Sequence, residues 1–181
     1  MLTTEQALDN LLAQWQSHYA QQAGGLPTVE HDPQWPSACE IEGSVANGQV
    51  QWQPVKRENS AADFANVEHA LDIVLHQDIK TFFSYAYSGE FDLNHEKGPV
   101  TLLQVWNDED FANLQQNLIG HIMMKRRLKQ PVTLFFALTD QDEQIISLNN
   151  ESGEVWLESV GKLPHLKLAD CLAAFLGDLS I

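Results

Sequence analysis

Basic residues are scarce in this chain. Ten Lys and Arg stand against 25 Asp and Glu over 181 residues, a formal net charge of −15. Nucleic-acid backbones and anionic lipid head groups repel such a surface, so neither a nucleic-acid partner nor direct lipid insertion is expected. A cationic partner is attracted, and the field speeds its encounter. Acidity that serves only solubility is the alternative. Cysteine is nearly absent: Cys39 and Cys171 are the two present, in neither a CxxC nor a Cys/His cluster, which points to a reducing compartment. Long apolar runs are missing too. Val132 to Leu138 is only strand length, far below the roughly 20 residues a membrane span needs. The opening MLTTEQALDN has no basic or apolar targeting character, so a cytoplasmic protein without a signal peptide is expected.

Catalytic signatures are also lacking. Tyr87-Ser88-Gly89 lacks the first glycine of a nucleophile elbow. Gly161-Lys162 is followed by Leu163 rather than Ser or Thr, so it is no phosphate loop, and no G-x-G-x-x-G occurs. His18, His31, His69, His76, His95, His121 and His165 form neither H-x-x-x-H nor H-x-x-E-H. No metal, no cofactor and no enzymatic activity are therefore expected.

What is present is globular composition, with 44% hydrophobic and 19% charged residues. The length fits one domain over residues 1–181. Leu8, Leu11, Leu12, Trp15 and Tyr19 share one helical face, with Thr3 and Gln6 spaced as a capping box. Leu26 to Ser37, with three prolines, reads as irregular. Glu40–Ile41 and Val50–Gln53 read as short strands about the turn Asn47-Gly48. Helices are expected over Asp63 to Leu71 and from Asp78. A hairpin should join Glu90–Asn94 to Val100–Trp106.

Asn107 can cap a helix whose buried stripe is Phe111, Leu114, Leu118, Ile119 and Ile122, ended by Pro131. Strands follow over Val132–Thr139, Gln144–Leu148 and Glu154–Val160. Leu168, Cys171, Leu172, Phe175, Leu176 and Leu179 mark a last helix, with Cys171 on its apolar face. The fold class is α+β (mixed α/β), a single domain with a mostly antiparallel sheet and helices packed against it.

Two charge runs have competing readings. Asp108-Glu109-Asp110 stabilises a helix N-terminus, or forms a carboxylate cluster for metal or acid/base work. Lys125 to Lys129 complements a helix C-terminus, or forms a nucleic-acid or lipid patch.

Several segments are familiar in combination: Pro36-Ser37-Ala38-Cys39, Ala70-Leu71-Asp72-Ile73-Val74-Leu75, Thr101 to Trp106, and Asn117-Leu118-Ile119-Gly120-His121. Lys125 to Lys129 and Ser152-Gly153-Glu154-Val155 complete the set. In this order the chain resembles the Syd family, the SecY-interacting proteins of Gram-negative bacteria. The resemblance implies a regulatory protein related in fold to an immunity superfamily. It also implies a location peripheral to the cytoplasmic side of the inner membrane, where the protein sequesters or checks improperly complexed SecY. Cytoplasmic loops of membrane proteins carry excess Lys and Arg, so an acidic domain can dock on them without touching lipid.

Glu68, Asp72, Asp78, Glu90 and Asp92 are the candidate contact residues for basic SecY loops. Each alone also reads as a solvated charge, and exposed ion pairs contribute only about 0–1 kcal/mol apiece. The rival readings are an immunity-type protein neutralising a basic toxin and a hydrolase with an unrecognised carboxylate site.

Overall fold

The computed structural model describes residues 1–58 and 63–181. Helix α1, Thr4–Ala20, begins at the expected capping box. Thr3 Oγ1 accepts from the Gln6 N–H, and the Gln6 side chain accepts from the Thr3 N–H. Its apolar face buries Leu8, Leu11 and Trp15. The proline-rich stretch that follows is not wholly irregular. Thr28–Glu30 (β1) pairs antiparallel with Gln49–Gln51 (β2), bringing Val29 opposite Val50. Asn47 and Gly48 both take left-handed φ, 53° and 76°, and so reverse the chain before β2. Glu40 contributes only an isolated bridge to Trp52, so the strand expected at Glu40–Ile41 does not form.

Val55–Lys56 (β3) leads to α2, Ala65–Leu71, and α3, Gln77–Ser84. Helix α3 buries Ile79, Phe82 and Phe83 and is followed by Ala86–Tyr87 (β4), which pairs with β3. The hairpin of Phe91–His95 (β5) and Gly98–Leu102 (β6) turns through Glu96 and Lys97. Helix α4, Asp108–Arg127, begins where expected, with the Asn107 side chain accepting from the Asp110 N–H.

Thr133–Thr139 (β7), Gln144–Asn149 (β8), Val155–Ser159 (β9) and Leu166–Ala169 (β10) complete a six-stranded, curled sheet. Its order is β10-β9-β8-β7-β6-β5, antiparallel throughout. The last helix, α5, is shorter than expected, Leu172–Gly177. Leu168 lies in β10, and Cys171 is the N-cap residue of α5, not part of its apolar face. Backbone pairing with β9 claims Leu166–Ala169 before a helix can form there. Among the described residues the fold is thus mixed α+β, with five helices and this antiparallel sheet.

Helix α1 packs on α5 and α3, and α4 packs on β7 and α2. Phe82, Phe136 and Phe175 are fully buried and meet edge to face, with centroids 5.5 and 5.7 Å apart. Burial of each such side chain contributes about 1.5–3 kcal/mol.

The basic run at the end of α4 is not one surface patch. Lys125 is fully buried, and its Nζ donates to Gln130 Oε1, the Lys162 carbonyl and Glu158 Oε2. Successive helical residues point about 100° apart, so one member of a run can face the sheet. Arg126 donates to the Leu71 carbonyl at 2.7 Å and ties α4 to α2.

Candidate partner-binding cleft

The hairpin register sets the geometry of one open concavity. Phe91 pairs with Leu102, so Glu90 and Asp92 lie beside the chain that runs from β6 to the start of α4. That chain carries Gln104, Trp106 and Asp110 along the same cleft, which measures about 590 Å³. Trp15 and Tyr19 of α1, Thr28 and Val29 of β1, and Trp52 line it as well.

The aromatic rings are in mutual contact. Trp15 lies 4.5 Å from Tyr19 and 5.2 Å from Trp52 between centroids, and Trp52 meets Trp106 edge to face at 6.0 Å. Gly89 makes room for this arrangement, since a Cβ there would come within 2.8 Å of Trp52 Cζ2.

Among the described residues, the side-chain carboxylates of Glu90, Asp92 and Asp110 line the same cleft, and no Lys, Arg or His does. Asp92 accepts from Thr101 Oγ1 at 2.8 Å, and Asp110 accepts from the Trp106 N–H at 2.8 Å. These bonds to neutral donors fix the carboxylates without a cationic side chain beside them among the described residues. Glu90 lies at the open edge. Partial withdrawal from water and the charges of Asp92 and Asp110 raise its carboxyl above the ordinary carboxylate range. A cation entering the cleft reverses that penalty.

The five candidate contact residues divide. Glu90 and Asp92 line the cleft; Glu68, Asp72 and Asp78 do not. Glu68 is engaged internally, accepting from the Leu75 N–H at 2.9 Å and from Lys80 Nζ at 3.0 Å. Burial opposes its ionisation, but those two donors outweigh burial and hold its carboxyl below the usual range. Asp72 is exposed and ends α2 in a left-handed conformation, φ 48°. Asp78 sits in the first turn of α3, 3.8 Å from His76 Nδ1.

Asp110 is the cleft acid that capping logic concealed. The hairpin register was the available clue, because it sets the Glu90–Asp92 segment beside the chain leading to α4. The triplet containing Asp110 is also dispersed. Asp108 accepts from the Tyr87 hydroxyl and lies 3.6 Å from Arg57 Nη2, and the Arg57 guanidinium stacks 4.3 Å over Tyr87.

Among the described residues, no three His, Cys, Asp or Glu side chains group as metal ligands, and no helix is long and apolar enough to cross a membrane. Ser88 lines the cleft, but its hydroxyl donates to the Gly89 carbonyl at 2.8 Å, and among the described residues no histidine lines the cleft to activate it. The arrangement is suited to holding a cation.

Residues 5–180 match the family described as Syd protein (SUKH-2). The chain is 46% identical to Protein Syd of Colwellia psychrerythraea (strain 34H / ATCC BAA-681), covering 98% of this chain and 92% of the relative. It is 43% identical to Protein Syd of Psychromonas ingrahamii (strain DSM 17664 / CCUG 51855 / 37), with 98% and 96% covered. It is 38% identical to Protein Syd of Pseudoalteromonas atlantica (strain T6c / ATCC BAA-1087), with 98% and 95% covered. With matches that run essentially end to end, the chain belongs to the Syd family.

Proposed function

We propose that this protein is a non-enzymatic binding module for the SecY subunit of the protein translocase. It acts at the cytosolic face of the inner membrane and sequesters or checks improperly complexed SecY. Membership of the Syd family supports the partner. The observation that carries the docking site is the cleft lined by Glu90, Asp92 and Asp110 and, among the described residues, by no basic side chain. Basic loops of a membrane protein project beyond the anionic leaflet and supply the complementary charge. The net charge of −15 keeps the domain off the lipid itself and favours docking through the protein receptor.

Co-purification from membranes with and without excess SecY tests this reading. Recovery of the protein with membranes should rise with SecY content and fall when Glu90 and Asp92 are both changed to Lys. Membrane recovery indifferent to SecY would overturn it. Recovery with a soluble basic protein in place of membranes would favour the immunity-type reading, which uses the same acidic cleft.

A further inference from the structure

Carboxylates alone accept any cation, but this cleft is walled by aromatic rings as well. Trp15, Tyr19, Trp52 and Trp106 share it with Glu90, Asp92 and Asp110. A lysine ammonium is a compact, strongly hydrated charge that sheds water reluctantly among indoles. A guanidinium is planar and weakly hydrated. It stacks on aromatic faces and offers five N–H donors to several oxygens at once.

Asp92 and Asp110 each keep free lone pairs beyond the one neutral bond they accept from the described residues. Gln104 lines the same cleft, and its amide nitrogen is buried without a hydrogen-bond partner among the described residues. Gln104 thereby adds a polar group with unused hydrogen-bonding capacity to the cleft wall.

We infer that the cleft is an arginine pocket: it takes an arginine side chain of the partner, in preference to lysine, between the tryptophans and the Glu90–Asp92–Asp110 carboxylates. This assignment rests on the cleft being the docking site and specifies which basic side chain it selects. Glu90, exposed at the rim, supplies the charge that meets the guanidinium. Gly89 acts through Trp52, because a methyl group at this position displaces the ring.

The test uses the full chain, labelled with ¹⁵N, and follows its indole N–H signals. N-acetyl-arginine methylamide and N-acetyl-lysine methylamide are titrated separately at low salt. The arginine compound should shift the Trp52 and Trp106 signals saturably and bind about five-fold or more tightly than the lysine compound. Glu90→Gln should weaken both compounds. Gly89→Ala should narrow the difference between them, with thermal melting confirming that each variant is folded. Equal binding of the two compounds, or arginine shifts unaffected by Glu90→Gln, overturns the pocket.

The same proteins are then offered SecY-containing membranes. Capture of SecY without arginine preference refutes the pocket and leaves the SecY reading standing. Arginine preference without SecY capture refutes the SecY reading and leaves the pocket.

Discussion

Lys125 Nζ lies 3.3 Å from Glu158 Oε2, and both side chains are fully buried, so an ion pair joins α4 to β9 across the interior. The pair is fully bonded: Lys125 also reaches Gln130 and the Lys162 carbonyl, and Glu158 Oε1 accepts from Thr133 Oγ1 at 2.9 Å. Removing one partner leaves the other charge buried and uncompensated, a change that costs about 3–5 kcal/mol. Lys125→Met should therefore shift the urea midpoint strongly downward. The double variant Lys125→Met, Glu158→Leu should recover most of that loss, since apolar replacement of a whole buried pair is often neutral. A double variant as unstable as the single one would show that the pair does more than satisfy itself.

The same network sets a pH dependence. His121 Nε2 lies 3.0 Å from Thr133 Oγ1, whose hydroxyl is committed to Glu158, so the neutral imidazole donates from Nε2. Burial, and then the Lys125 ammonium, push the His121 pKa down to about 4. Glu158 Oε1, 3.6 Å from Nε2, faces the ring as well. Above its ordinary pKa near 6.5 the ring is neutral folded or unfolded, and the full stability is present. As pH falls below that value the unfolded chain takes the proton first, and roughly 3 kcal/mol is lost by pH about 4. Denaturation midpoints between pH 7 and 4 should decline in the native protein and much less in His121→Gln. Equal slopes would place the titration on another group.

Why some of this was readable from sequence and some was not follows from how local each signal is. The capping box at Thr3 and Gln6, the Asn107 cap and the α4 stripe depend on residues within one or two turns, and all three form. Strand β10 depends on a partner strand. Leu168, Cys171 and Leu172 fit a helical period, yet Leu166–Ala169 pairs with β9, and no local pattern reports that. Strand β1 was obscured by the prolines around it, because its pairing with β2 crosses about twenty residues.

The site behaves the same way. Glu68, Asp72, Asp78, Glu90 and Asp92 read alike as mid-chain acids, and nothing local separates the two that line the cleft from the three that do not. Trp15, Trp52 and Trp106 lie far apart in the chain, and only tertiary packing brings their rings within 6.0 Å of one another in sequence along the cleft. Lys125 was hidden because a run of like charges reads as surface, whereas helical rotation turns one member inward.

Partial burial, and then the charges of Asp92 and Asp110, oppose ionisation of Glu90 before any partner arrives. Its folded carboxyl titrates above the unfolded one, so the folded protein holds the proton to higher pH. Stability from this group therefore falls as pH rises through that window, and the penalty is fully present at neutral pH. Glu90→Gln should raise the thermal midpoint slightly at pH 7 and change it little near pH 3, where Glu90 is protonated in both states. A lowered midpoint at pH 7 would mean that Glu90 makes a favourable contact in the free protein.

A local site and the general field respond differently to the same change in net charge. If basic loops dock in the cleft, association with SecY should slow as salt rises, because electrostatic steering falls with ionic strength. Slowing by itself fits any acidic protein. Glu90→Lys with Asp92→Lys moves the net charge from −15 to −11, and so does Asp142→Lys with Glu143→Lys in the β7–β8 turn. Asp142 and Glu143 do not line the cleft. The two double variants thus have the same total charge and differ in where it was changed. Surface plasmon resonance on SecY in lipid nanodiscs should show a much faster dissociation for the cleft pair. The turn pair should lose association rate only, since distant charges act on encounter more than on the bound state. Equal losses in both rates would mean that the acidic surface acts through its total field, and that Glu90 and Asp92 make no privileged contact.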